Sequence, residues 1–229
     1  MNYKTRKSSI GYLLGINAII YIIQLLVPKF NEMFLLDSSL VWNEPWRLVT
    51  SMFMHSTLSL NHLLFNMYAL FLFGGLMEQM IGTKRFLKVY FVSGIVAGII
   101  FSIFTPGKAV GASGAIMGIL GLTIMLLPNM KVLFFFVIPM SMRTAGIIFA
   151  LIDILGLFNP YSRIANAAHL GGLVIGLLYG FYLLRQKKNF NKNFTGVQVV
   201  SHQGHNYHTK NSQEMTDEDI DNYLKYGRL

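Results

Sequence analysis

The chain has 229 residues, of which 53% are hydrophobic and only 13% charged, with a formal net charge of +9 and a mean hydropathy of +0.49. Soluble domains carry about a quarter charged residues, so an ordinary soluble protein is excluded. The basic residues sit in short loops beside apolar runs, as topology determinants do, and no nucleic acid is expected as a partner; cysteine is absent, which excludes disulfides, thiolate metal sites and a cysteine nucleophile.

Apolar runs near twenty residues long recur along the chain and predict an all-α, polytopic membrane protein with six spans. Lys4, Arg6 and Lys7 followed by residues 10–27 superficially resemble a signal peptide. The apolar part is too long for one and no small-residue cleavage site follows, so a retained first span is expected, closed by Pro28. Residues 29–57 form a long connection in which Trp42 and Trp46 suit a membrane interface. The second span is expected over 58–81, carrying His62, Asn66 and Glu78, with Glu78 pairing locally near Gly82 and Lys84. The third covers 86–104 and the fourth 110–127, closed by Pro128.

Residues 132–140 are strongly apolar but would rise only about 14 Å as a helix, too little to cross. They read as an interfacial or re-entrant piece before a short fifth span over 144–158, and the sixth covers 165–184. The composition then turns polar. The expected organisation is a six-helix membrane domain over 1–188 and a polar cytoplasmic tail over 189–229. Thr216 opens a short acidic-capped helix running to about Tyr226, a docking or regulatory element whose partner is not readable. His202, His205 and His208 recur every three residues, but without cysteine or a predicted helix no metal site is expected there, and no cofactor elsewhere.

Six spans put both ends on one side of the membrane. Lys4, Arg6, Lys7, Lys84, Arg85, Lys88, Lys131, Arg185, Lys187 and Lys188 all fall on that side. The opposite side has Lys29, Arg47, Lys108 and Arg163, diluted by acids in the first loop. Both termini are therefore expected in the cytoplasm of a cell-membrane protein.

Gly111-Ala112-Ser113-Gly114 opens the fourth span, where unpaired helix-start N–H groups form a ready site for negative charge. Glycines at 111 and 114 let another backbone approach the serine oxygen. A phosphate-binding loop would need a Gly-Lys-Ser/Thr ending, and a hydrolase elbow would need glycine where Ala115 stands. Taken alone, the run reads most simply as tight helix packing. The other polar groups change that balance. His169 lies one turn inside the outer end of span six, and His62 and Asn66 lie one turn apart on one face of span two. Four polar groups at one depth in lipid call for a shared cavity. Ala168, Gly172, Gly176 and Gly180 on span six and Gly114, Gly118 and Gly121 on span four make two small-residue stripes. Facing each other, they would bring Ser113 and His169 within hydrogen-bond reach. Ser113 is then the candidate nucleophile and His169 its base. The Ser113 N–H, His62 and Asn66 are candidate oxyanion donors. No aspartate falls in place to orient the imidazole, so a Ser-His dyad is expected. Asp153, inside span five, reads as a protonated or paired structural acid, although an intramembrane carboxylate is a functional candidate by default.

Together these motifs resemble the rhomboid intramembrane serine proteases. The resemblance rests on Trp46-Arg47, His62-x-x-x-Asn66, Gly111-Ala112-Ser113-Gly114 and Ala168-His169-Leu170-Gly171-Gly172 with Gly176 beyond, in the family's order over residues 10–185. It implies Ser113 as nucleophile, His169 as base, and His62 and Asn66 at the oxyanion. It implies as substrate another protein's transmembrane segment, cut near the outer face, with small residues favoured before the cut. Membrane lipids are the other expected partner. Two positions depart from the pattern. Met117 stands where an aromatic ring often stacks on the catalytic histidine. His55 lies seven residues before His62 where five is more usual, and is left out of the catalytic set. The rival readings are a catalytically idle relative that binds membrane clients and a small transporter. The retained Ser113 and His169 argue against the first, and the lack of a visible repeat between the two halves argues against the second.

Overall fold

A helix in lipid must bury any polar side chain against protein, and the first helix, α1 (Ser9–Leu26), shows how this chain does so. Ile10, Leu13, Asn17, Tyr21 and Gln24 are its buried residues. They recur three or four apart, so polar Asn17 and Gln24 share one inward stripe with the apolar residues. Asn17 Nδ2 donates to the Leu13 carbonyl at 2.7 Å. Gln24 Nε2 donates to the His55 carbonyl at 2.9 Å, and its Oε1 accepts from the His55 N–H at 2.9 Å. The side chain thus pins the first loop to the C-terminal end of α1. These contacts come from a computed structural model that describes residues 8–134, 137–159 and 165–194.

Pro28 opens α2 (Pro28–Phe34), a position that suits a residue without an N–H. Strand β1 (Leu36–Asp37) and the turn α3 (Arg47–Thr50) follow, then a 3-10 turn over Ser51–Phe53. Arg47 is buried and organises this loop. It pairs with Glu44 and donates to the Glu32 and Leu35 carbonyls at 2.9 and 2.7 Å. The next span is one helical run made of α4 (Leu60–Ala69), a π turn (Leu70–Gly74) and α5 (Gly75–Ile81). Gly82, at φ 78°, breaks the run before α6 (Thr83–Phe104). Strand β2 (Lys108–Ala109) then pairs antiparallel with β1, Leu36 opposite Ala109. This ribbon ties the first loop to the segment leading into α7 (Ser113–Leu126).

Glu78 is hydrogen-bonded locally to Thr83, as expected, and also reaches the start of α1. It accepts from the Ser8 and Ser9 hydroxyls at 2.6 and 2.7 Å and from the Ser9 N–H at 2.8 Å. A carboxylate at the start of α1 satisfies helix-start donors, and it fastens α1 to the end of α5. The stretch expected to be an interfacial or re-entrant piece takes the form of a β-hairpin, β3 (Lys131–Phe134) against β4 (Ile138–Ser141). Pro139 is incompatible with a helix interior, and Val132 and Ile138 favour extended backbone. The all-helical expectation therefore needs two small ribbons added. Helix α8 (Met142–Leu157) is capped by Ser141, whose Oγ accepts from the Thr144 N–H at 3.1 Å, and α9 (Asn166–Phe194) follows.

Among the described residues, four helical runs are long and apolar enough to cross a membrane: Ser9–Leu26, Leu60–Ile81, Thr83–Phe104 and Asn166–Lys187. Helices α7 and α8 have 14 and 16 residues. The chain is a mostly helical, multi-pass membrane protein. It divides into two compact units, Met1–Gly180 and Phe181–Leu229. In the second, Gln186 Nε2 donates to the Tyr182 hydroxyl at 2.6 Å. The expected short helix from Thr216 and the three tail histidines lie outside the described residues.

In the first unit, the two glycine stripes face each other. A Cβ on Gly172 would fall on the Gly114 carbonyl oxygen, one on Gly176 on the Gly118 carbonyl oxygen, and one on Gly121 on the Leu173 carbonyl oxygen. The backbones of α7 and α9 are in contact, with no side chain between them. On another side of α7, Gly114 abuts Ala97 and Gly118 abuts Ser93, both on α6. Replacing Gly176 by alanine is expected to lower stability by about 1–3 kcal/mol, because backbone cannot yield as a side-chain end can. Gly15, with nothing within 4 Å of its added Cβ, is the control: Gly15→Ala should leave the unfolding midpoint in micelles unchanged or higher.

Candidate active site

Gly111 sits at φ 129°, a backbone region that favours glycine, and its N–H donates to the Ser51 carbonyl at 3.0 Å. A Cβ there would meet the His62 ring at 3.0 Å. Glycine is therefore required twice over, by conformation and by room. Ala112 is fully buried, and Ser113 follows as the first residue of α7. No side chain caps this helix start, so its first-turn N–H groups remain open beside the serine hydroxyl.

The seam between α7 and α9 sets the two helix starts side by side. Ser113 Oγ and His169 Nε2 are 2.8 Å apart. His62 approaches from α4. Its Nδ1 accepts the Ser56 N–H at 3.2 Å, which leaves the proton of the neutral ring on Nε2. That Nε2 borders Gly111, next to Ser113, so it is a donor aimed at the serine's surroundings. Asn66, one turn further along α4, is buried, and its Nδ2 donates to the His62 carbonyl at 2.7 Å. Of that amide's two N–H bonds, one is used within the helix and one remains. Ser113, His169 and His62 are thus gathered at one place, and Asn66 stands directly behind His62. Met117 is buried one turn below Ser113.

Beside Ser113 lies a cavity of about 40 Å³, lined by Ala97, Gly98, Gly114, Ala165 and Ala168 among others. Leu36, Met52 and Phe101 also line it, and its volume suits a small group.

Sequence reasoning missed one contact. It expected no aspartate near the imidazole, yet Asp153 Oδ1 lies 3.1 Å from His169 Nδ1. The two residues are sixteen positions apart on consecutive helices, so no short motif joins them. The signal available was the lone carboxylate in an apolar helix. His55, set aside on spacing, is buried with its ring 5.3 Å from that of His62. It lines the wall behind the site. Among the described residues no group of three or more metal-ligating side chains gathers.

The rhomboid domain family model matches residues 42–186. The chain is similar to "Rhomboid protease GluP" of Bacillus subtilis (strain 168), 39% identical over 143 residues that make up 61% of this chain and 26% of that protein. It is 33% identical over 194 residues to "Rhomboid protein 1, mitochondrial" of Saccharomyces cerevisiae, covering 79% and 55%. "Rhomboid protease GlpG" of Yersinia pestis (strain Pestoides F) is 36% identical over 143 residues, covering 60% and 48%. The chain thus spans from about a quarter to about half the length of these relatives.

The buried wall has a pH signature. Burial first, and the neighbouring His62 second, hold the His55 imidazole down to about 4 from an ordinary 6.5. Between those values the unfolded chain binds a proton that the folded chain refuses. The stability contribution is full above pH 6.5 and lost as the pH falls towards 4. The thermal midpoint should fall across that window, and His55→Phe should flatten the slope. An equal slope in parent and variant would show that His55 does not carry it.

Proposed function

The chain belongs to the rhomboid family, and from that membership we propose that it is an intramembrane serine endopeptidase acting on transmembrane segments of other proteins. The observation that carries the reading is the 2.8 Å contact between Ser113 Oγ and His169 Nε2 at an uncapped helix start. In the proposed reaction Ser113 Oγ attacks the scissile carbonyl carbon while His169 Nε2 takes its proton. The carbonyl oxygen becomes an oxyanion, held by the first-turn N–H groups of α7, by His62 Nε2–H and by the Asn66 amide. Collapse breaks the C–N bond, and the proton on His169 goes to the leaving amine. Water, deprotonated by the same imidazole, then releases the acyl group and restores Ser113. The 40 Å³ cavity supports a small residue on the acyl side of the cut.

Hydrolysis needs water, and the helix lengths offer a route for it. The 22 residues of α6 rise about 33 Å and the 14 of α7 about 21 Å. Since α7 is buried from Gly114 to Thr123, its shortfall leaves a recess inside the protein and not a gap in contact with lipid. In the proposed topology six helices cross a cell membrane, both termini are cytoplasmic, and Ser113 sits at the floor of an outward-facing recess. Residues 1–188 form the membrane domain, and 189–229 the cytoplasmic tail. A substrate helix has to unwind at its outer end to offer a carbonyl, because unpaired backbone is tolerated in the recess but not in lipid.

Ser113→Ala should abolish cleavage of a single-span reporter and labelling by a fluorophosphonate probe while the protein stays folded. Cutting at the parental rate would end the assignment. Mass spectrometry of the parental fragment should place the cut in the outer third of the reporter's span or just beyond; a cut on the cytoplasmic side would overturn the topology.

His62→Ala and Asn66→Ala should lower kcat about ten- to a thousandfold with little change in KM, since oxyanion donors act mainly in the transition state. A change in KM alone would reassign both residues to binding or packing.

A further inference from the structure

Asp153 is hard to explain as an ordinary part of α8. Leu151, Ile152, Ile154 and Leu155 around it are 41–70% exposed, whereas Asp153 itself is 4% exposed. It continues the buried stripe of Met142, Ala145 and Gly146, two turns beyond Gly146. A carboxylate buried in a membrane helix is costly unless something at that position uses it. Its Oδ1 faces His169 Nδ1 at 3.1 Å, and the opposite nitrogen of the same ring meets Ser113 Oγ at 2.8 Å.

The two contacts constrain one another. An ionised carboxylate only accepts, so Nδ1 must carry the proton and Nε2 is left with its lone pair. That lone pair is what a general base needs to receive the serine proton. A protonated Asp153 would reverse both bonds and leave Nε2–H donating to the hydroxyl, which is inert for proton abstraction. We infer that Asp153 is a positioning residue that completes the site: as a carboxylate it accepts the His169 Nδ1–H, fixing the tautomer and the ring plane in which Nε2 takes the Ser113 proton. It takes up no proton during the reaction. The proton moves from Oγ to Nε2 and on to the leaving nitrogen, and the carboxylate balances the transient imidazolium. This rests on the proteolytic reading above and deepens it, from a pair of side chains to a line of three on α7, α9 and α8.

The test compares Asp153→Asn, Asp153→Glu and Ser113→Ala with the parent in reporter cleavage, in the rate of fluorophosphonate labelling and in thermal unfolding. Asp153→Asn keeps the shape and loses the charge. It should lower kcat and the labelling rate about ten- to a thousandfold, with KM within about twofold of the parent and the unfolding midpoint retained. Asp153→Glu should recover at least about tenfold of that loss. Parental kcat and labelling in Asp153→Asn would overturn the inference while leaving the protease assignment intact. So would a loss that merely tracks a lowered midpoint, since that marks a brace between α8 and α9. A parent protein that neither cuts nor labels would overturn the protease reading and this inference with it. A measurement without any variant serves as well. In the 15N-histidine-labelled parent, His169 should show the Nδ1-protonated tautomer, and the Nε2-protonated form would refute the proposal.

Discussion

The first unit depends on one constraint: α7 and α9 touch backbone to backbone. Lipid offers no hydrophobic drive for helices to associate, so close approach has to come from shape. Gly121 on one helix and Gly172 and Gly176 on the other provide it, because each Cβ that is missing there would have fallen on a main-chain atom of the facing helix, the carbonyls of Gly114 and Gly118 among them. The seam fixes the relative height of the two helices. Gly114 meets Gly172, one residue beyond Ser113 and three beyond His169, and the hydroxyl and the imidazole come within 2.8 Å as a consequence. Geometry set by main chain is stiffer than geometry set by side chains, which suits a proton transfer sensitive to fractions of an ångström.

Around that seam three buried polar groups hold elements together rather than perform chemistry. Gln24 grips the His55 backbone with two bonds, Arg47 gathers two carbonyls and Glu44, and Glu78 closes the start of α1. Each joins segments far apart in sequence that apolar packing alone would leave free to slide. The first loop, which contains Ser51 and Ser56, is thereby held against Gly111 and His62. Asp153 differs from these: its contact is with the imidazole that faces Ser113.

What was legible in the sequence follows a physical divide. Ser113, His169 and His62 could be read because each sits in a short run whose neighbours share its purpose, glycine beside serine and small residues beside histidine. The spacing of the glycines, four apart, declared a seam before any coordinate was known. The contact of Asp153 with His169 could not be read, since it depends on how two helices cross. Of the partners of Glu78, Thr83 beside it was legible, and the two serines about seventy residues away were not. That residues 132–140 do not cross as a helix was legible from their length, whereas their pairing as a β-hairpin was not read from Pro139 and the β-branched residues beside it.

Helix α8 has a consequence for the bilayer itself. Its 16 residues rise about 24 Å, against a hydrocarbon core of about 30 Å, and its face towards lipid is apolar along Ile147, Leu151, Ile154 and Leu155. With six helices crossing as proposed, acyl chains beside α8 must compress by about 6 Å, at fractions of a kcal/mol per ångström. Neighbouring helices of ordinary length do not impose that dent. A single-span protein of ordinary length diffusing into the thinned annulus becomes too long for its surroundings and has to tilt or push an end out into the headgroups. The lipid deformation thus acts on a passing helix before any side chain of the protein touches it, and it does so along α8, whose opposite, buried face carries Asp153.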